Sequence, residues 1–192
     1  MVIFDKIAEY IVDYLLQQGI IEKEQEEIYI YGFYRVLIDG VNIISIFLIS
    51  LWLGEVLEAI VFVITFRLLR SYAGGYHAKT QWGCYFLTML TITMTLSIIK
   101  FFEVSRIVSI ILWIFSGLII FLLSPVEAEN KPLDKMEISI YGKRAKIIFL
   151  VETICFLISL PCNWIIVYES ILLAAVCTSL SLVMASVRKV NN

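Results

Sequence analysis

The sequence predicts an all-α integral membrane protein: six transmembrane helices behind an amphipathic N-terminal interfacial helix, with both termini cytoplasmic. Three observations point there. Hydrophobic residues make up 60% of the 192-residue chain and charged residues 17%, with a mean hydropathy of +0.90; a soluble domain lies nearer half apolar and a quarter charged. The apolar residues fall in long uncharged runs, as membrane-spanning helices require. The basic residues are unevenly shared between the segments separating those runs, which orients the chain. No Pro/Gly/Ser-rich linker interrupts the sequence, so residues 1–192 are expected to form a single membrane-embedded domain. The opening Met-Val-Ile-Phe-Asp-Lys is not the basic and then apolar start of a cleavable signal peptide, and none is expected.

Residues 3–18 place Phe4, Ile7, Ala8, Ile11, Tyr14 and Leu15 at helical spacing, with Asp5, Glu9 and Asp13 opposite. That is an amphipathic helix too polar to span; lying in the membrane interface and packing on the rest of the protein both fit it. Gly19 is its stop. The acidic stretch Glu22 to Glu27 suits the start of the next helix, where negative charge meets the positive end of the dipole. Tyr29, Tyr31 and Tyr34 form an interfacial band, and the first span runs from about 36 to 53. Arg35 and Asp39 are spaced to pair across one turn, although an acid at that depth is also a candidate for function. Gly54-Glu55 turns the chain into a short second span, about 56–69. The third and fourth spans cover about 82–99 and 105–123. A long polar segment from Ser124 through Lys146 follows. The fifth span is about 147–160, and Pro161-Cys-Asn163 turns into the sixth, about 164–187.

With six spans, thirteen of the fifteen Lys and Arg residues fall on the side of the termini, and only Lys100 and Arg106 on the other. Positive charge favours the cytoplasm, so both termini, His77 and Cys84 are expected on that side.

The chemistry concentrates in Arg67-Leu-Leu-Arg-Ser-Tyr-Ala-Gly-Gly-Tyr-His77-Ala-Lys-Thr-Gln-Trp-Gly-Cys84, which holds the only histidine of the chain. A thiol is mostly protonated at neutral pH and becomes a nucleophile when a base stands beside it. On a straight helix seven residues rise about 10.5 Å, too far for His77 to reach Cys84. Contact therefore needs a bend or a re-entrant segment, and Gly74-Gly75 and Gly83 offer the backbone freedom. By pattern alone, an interfacial histidine and an inert buried cysteine fit as well. The cysteines at 84, 155, 162 and 177 show no CxxC spacing, so neither a disulfide framework nor a zinc site is expected, and no cofactor. Cys155, Cys162 and Cys177 are read as packing residues.

The combination Arg67-x-x-Arg70-x-x-x-Gly74-Gly75-x-His77-Ala78-x6-Cys84, followed after two further spans by Pro125-x-Glu127-x-x-Asn130-Lys131-Pro132-Leu133, resembles the accessory gene regulator B (AgrB) family along essentially the whole chain. The resemblance implies a cysteine endopeptidase of the bacterial cell membrane that processes an autoinducing peptide in quorum sensing, and a homodimer. Its substrate would be a propeptide with an amphipathic leader, a core containing a cysteine, and an acidic C-terminal tail. By motif position Cys84 is the nucleophile and His77 its base. Cys84 would form a thioester acyl-enzyme as the tail leaves, and the core's own thiol would then close a thiolactone ring. Arg67, Arg70, Lys79, Lys131 and Lys135 would hold the acidic tail, with Arg70 the foremost contact, and backbone N–H groups near Gly74 and Gly75 would serve as oxyanion donors. Ser71 and Gln81 are the candidates to orient His77. No nucleic-acid partner is expected. The rival is a peptide transporter or permease whose basic loops guide cargo and whose Cys84 does no covalent chemistry, but the sequence has no nucleotide-binding loop and few intramembrane charges. A structural scaffold is a third option.

Overall fold

A computed structural model describes residues 2–76, 78, 80–102, 104–127 and 133–191. The described residues form seven α-helices and no β-strand: α1 Val2–Gln17, α2 Glu26–Leu53, α3 Val56–Ala73, α4 Gln81–Phe101, α5 Arg106–Leu123, α6 Lys135–Ser159 and α7 Ile165–Asn191. Four of them, α2, α4, α5 and α7, are long and apolar enough to cross a membrane. The chain divides into two compact units, Met1–Leu48 and Ile49–Asn192.

In the first unit, Ala8 and Val12 are fully buried on α1, whereas Tyr10 and Tyr14 are exposed. The helix stops at Gly19, whose φ of 65° belongs to the left-handed region that glycine enters without cost. Gly19 N–H donates to Leu16 O and Ile20 N–H to Leu15 O, both at 3.0 Å, a Schellman closure of the last turn. Gln25 Oε1 accepts from Glu22 N–H at 3.3 Å, and a single 3-10 turn, Lys23–Gln25, leads into α2. Thus α2 starts ten residues before the expected span, because the acidic and tyrosine-rich segment is itself helical. Arg35 Nε and Asp39 Oδ2 stand 3.8 Å apart, the pair expected from their spacing.

The second unit is built around α7, which packs against α3, α4, α5 and α6 and is the most buried of the four long apolar helices. Trp113 of α5 is stacked between Phe149 and Phe156 of α6, with ring centroids 4.8 and 4.4 Å away. Its indole N–H donates to Thr153 Oγ1 at 3.3 Å, so the ring buries its area without orphaning its donor. Gly117 lets α5 approach α6, for a Cβ there would lie 2.8 Å from the Phe149 ring. Leu69 and Ala73 of α3 and Leu172, Ala175 and Leu182 of α7 belong to the same core.

The segment expected to be a polar connection through Lys146 is corrected by the structure. Helix α6 begins at Lys135 because Asp134 caps it. Asp134 Oδ1 accepts from Glu137 N–H at 2.6 Å, and Glu137 Oε2 accepts from Asp134 N–H at 3.1 Å. This reciprocal box satisfies two orphan donors and overrides the polarity of the first three turns.

Candidate active site

The site grows from the C-terminal end of α3. Gly74 caps that helix with φ 77°, its N–H donating to Arg70 O at 3.0 Å. Val126, inside the Pro125-x-Glu127 segment, donates its N–H to Ala73 O at 2.9 Å, and Gly74 and Val126 form an isolated parallel β-bridge. The two halves of the motif are therefore joined backbone to backbone. Gly75 has φ 134°, and a Cβ there would stand 2.5 Å from Ser181 Oγ. Glycine is required at both positions by conformation and by space.

Ser181 of α7 is the hub of the next contacts. Its hydroxyl oxygen accepts from Arg70 Nη1 at 2.8 Å and from Tyr76 N–H at 3.0 Å, and its carbonyl accepts from Tyr76 N–H at 3.1 Å. Arg70 also donates through Nη2 to Tyr76 O, and its guanidinium lies 5.5 Å from the centre of the Phe66 ring. Arg188 covers the other end of this cluster, 5.5 Å from the Tyr76 ring centre.

Cys84 sits in the first turn of α4. Thr80 caps that helix, accepting from Gly83 N–H at 3.1 Å through Oγ1 and from Cys84 N–H at 3.0 Å through its carbonyl. A Cβ on Gly83 would come within 3.0 Å of both Ala78 Cβ and Thr80 Oγ1, so glycine lets the incoming chain pass close to the helix start. The half-buried thiol stands at the positive end of the helix dipole. The charge of Arg70 acts on Cys84 and also on Cys177. Cys177, from α7, lies 3.8 Å from Thr95 Oγ1 through its sulfur.

Of the residues singled out by sequence, Cys84, Arg70, Gly74 and Gly75 are brought to one end of the second unit. His77, Lys79 and Lys131 lie outside the described residues. Arg67 and Lys135 are exposed, on α3 and at the start of α6. α3 ends at Ala73 and α4 starts at Gln81, and the described residues between them, 74–76, 78 and 80, are not helical. The Gly74 and Tyr76 N–H groups are engaged within the protein, by Arg70 O and Ser181. Ser71 donates to Arg67 O at 2.6 Å, back onto its own helix. Arg144 stacks on Tyr72 at 5.4 Å and Lys146 on Phe121 at 5.7 Å, so these cations also cover aromatic surface.

Three participants were missed by sequence reasoning. Val126 and Ser181 act through contacts far from their partners along the chain, and no local pattern marks them. Cys177 was grouped with Cys155 and Cys162, but those two are exposed, whereas Cys177 is half-buried beside Arg70. Its one legible signal is the four-residue spacing to Ser181, which puts both on one face of a helix.

A family model described as "Accessory gene regulator B" matches residues 5–184. Among curated proteins, the chain is 33% identical over 122 residues to a "Putative AgrB-like protein" of Clostridium perfringens (strain SM101 / Type A), covering 58% of this chain and 56% of the relative. It is 30% identical to "Putative AgrB-like protein 2" of Clostridium perfringens (strain 13 / Type A), over 67% of this chain and 64% of the relative. It is 27% identical to "Accessory gene regulator protein B" of Staphylococcus intermedius, over 73% of this chain and 76% of the relative. The matched region thus spans less than two thirds of the length of each of the two Clostridium relatives. No solved structure matches.

Proposed function

Because the chain belongs to the accessory gene regulator B family, we propose that it is a membrane-embedded cysteine endopeptidase that matures a quorum-sensing propeptide. The observation that carries this reading is the place of Cys84. It stands in the first turn of α4, seven residues after His77 in the chain, with Arg70 within electrostatic reach.

In this reading His77 takes the Cys84 proton, and the thiolate attacks the carbonyl between core and tail. The C–N bond breaks, the leaving amine receives the proton from His77, and a thioester joins the core to Cys84. The internal thiol of the core then attacks that thioester, closing a thiolactone and returning Cys84 as thiolate. Thiol exchange keeps the acyl group activated, so the site must hold the second thiol close and keep water away. Arg67 and Lys135, exposed on α3 and α6, meet the acidic tail in this reading.

The chain works in this proposal as one peptidase domain of six spans, α3 and α6 crossing with the four apolar helices, in a bacterial cell membrane, as a homodimer, with the site on the cytoplasmic side. The thirteen-to-two distribution of basic residues supports that orientation. The deciding experiment is Cys84→Ala in membranes, with tail release followed by mass spectrometry. The proposal requires binding without cleavage. Full cleavage by the variant would leave the transporter reading in its place.

A further inference from the structure

We propose that Ser181 is a positioning residue, which fixes the connection bearing His77 against α7 and so sets the geometry of the thiol and its base; this rests on the peptidase reading of Cys84 and His77.

Tyr76 directly precedes His77 in the chain, and its backbone is hydrogen-bonded to Arg70 and Ser181. The Tyr76 N–H is shared between the hydroxyl and carbonyl oxygens of Ser181, at 3.0 and 3.1 Å. Its carbonyl accepts from Arg70. Arg70 is in turn held by Ser181 Oγ at 2.8 Å. One hydroxyl thus links α3, the connection and α7, and it is buried, with 8% of its surface exposed. In such a place the hydroxyl strengthens the bonds it makes; losing it takes the Ser181 acceptor from Arg70 Nη1 and leaves the Tyr76 N–H with the Ser181 carbonyl alone.

The backbone on either side is shaped to the same contact. Gly75 passes so close to Ser181 that a Cβ would stand 2.5 Å from its hydroxyl, and Gly74 is held on its far side by Val126. Arg70 lies within electrostatic reach of Cys84 while its hydrogen bond holds Tyr76. Ser181 therefore fixes Arg70 together with Tyr76, the residue before His77 in the chain. It touches no reacting atom in this assignment. Its effect passes through Arg70 and Tyr76.

The test compares Ser181→Ala and Ser181→Thr in purified full-length protein. Tail release from a propeptide is read as kcat and KM, and deuterium exchange is read over residues 74–80. Misplacing a catalytic group by about 1 Å costs up to roughly 100-fold in rate. Ser181→Ala should lower kcat by roughly 10- to 100-fold with KM unchanged and exchange roughly 10-fold faster in that segment, whereas Ser181→Thr, which keeps the hydroxyl, should recover most of both. Combining Ser181→Ala with Arg70→Gln should cost little more than Arg70→Gln alone, because the two act as one unit. Wild-type kcat in Ser181→Ala, with or without faster exchange, overturns the positioning role while leaving the peptidase reading intact. An unmutated protein that releases no tail instead overturns the peptidase reading, and the positioning role with it.

Discussion

Gly74 and Val126 lie so close that a Cβ on the glycine would stand 2.1 Å from the Val126 carbonyl oxygen. The contact joins the end of α3 to the segment after α5, and Gly74 also holds φ 77°, where an L side chain is strained. Gly74→Ala should therefore destabilise the second unit by about 1–3 kcal/mol. The measurement is thermal unfolding in detergent. Tail release should fall as well, because the backbone tie between Gly74 and Val126, which joins the two halves of the motif, would open.

The order of chemical steps separates a cyclase from a plain protease. A propeptide whose internal cysteine is replaced by alanine should still acylate Cys84 and then stall as a thioester that hydroxylamine cleaves. Intact-protein mass spectrometry should detect that adduct, and His77→Ala should suppress it. Rapid hydrolysis of the altered peptide without any adduct would sink the water-excluding site.

Orientation follows from charge. A cysteine placed at Lys135, the exposed first residue of α6, should react with a membrane-impermeant thiol reagent only in inside-out vesicles, as read at that peptide by mass spectrometry. Reaction on intact cells would reverse the topology.

At the turn between α2 and α3 the Glu55 carboxyl is raised above the usual range, first by burial, then by the charge of Glu58 and a hydrogen bond with it, while Lys100 pulls the other way. Its protonated form is thus favoured by folding. The stabilisation is fully present below the unfolded value near 4.5 and is lost as pH rises through the higher folded value. Glu55 lies near the surface, so the effect is small. Melting temperatures taken from pH 4 upward should decline more in the unmodified protein than in Glu55→Gln, and parallel curves would remove the claim.

Much of the architecture was legible because it is local. Long uncharged runs disclosed the apolar helices, Gly19 and Gly54 marked stops that both adopt positive φ, and Gly74-Gly75 announced the bend before Cys84. The start of α6 is marked by Asp134-x-x-Glu137, a capping pattern set within a charged stretch. Length and apolarity account for α2, α4, α5 and α7, whereas α3 and α6 carry too many charges for the same criterion.

By itself, the sequence determined the helical class, the apolar segments and the family, because each of these is carried by neighbours along the chain. Only the tertiary structure decided that Arg70 is held by Ser181, that Val126 locks Gly74, and that Cys177 is half-buried while Cys155 and Cys162 are exposed. The physical reason is separation: Arg70 and Ser181 are 111 residues apart, and a hydrogen bond across that distance leaves no period, spacing or composition for a linear reading to find.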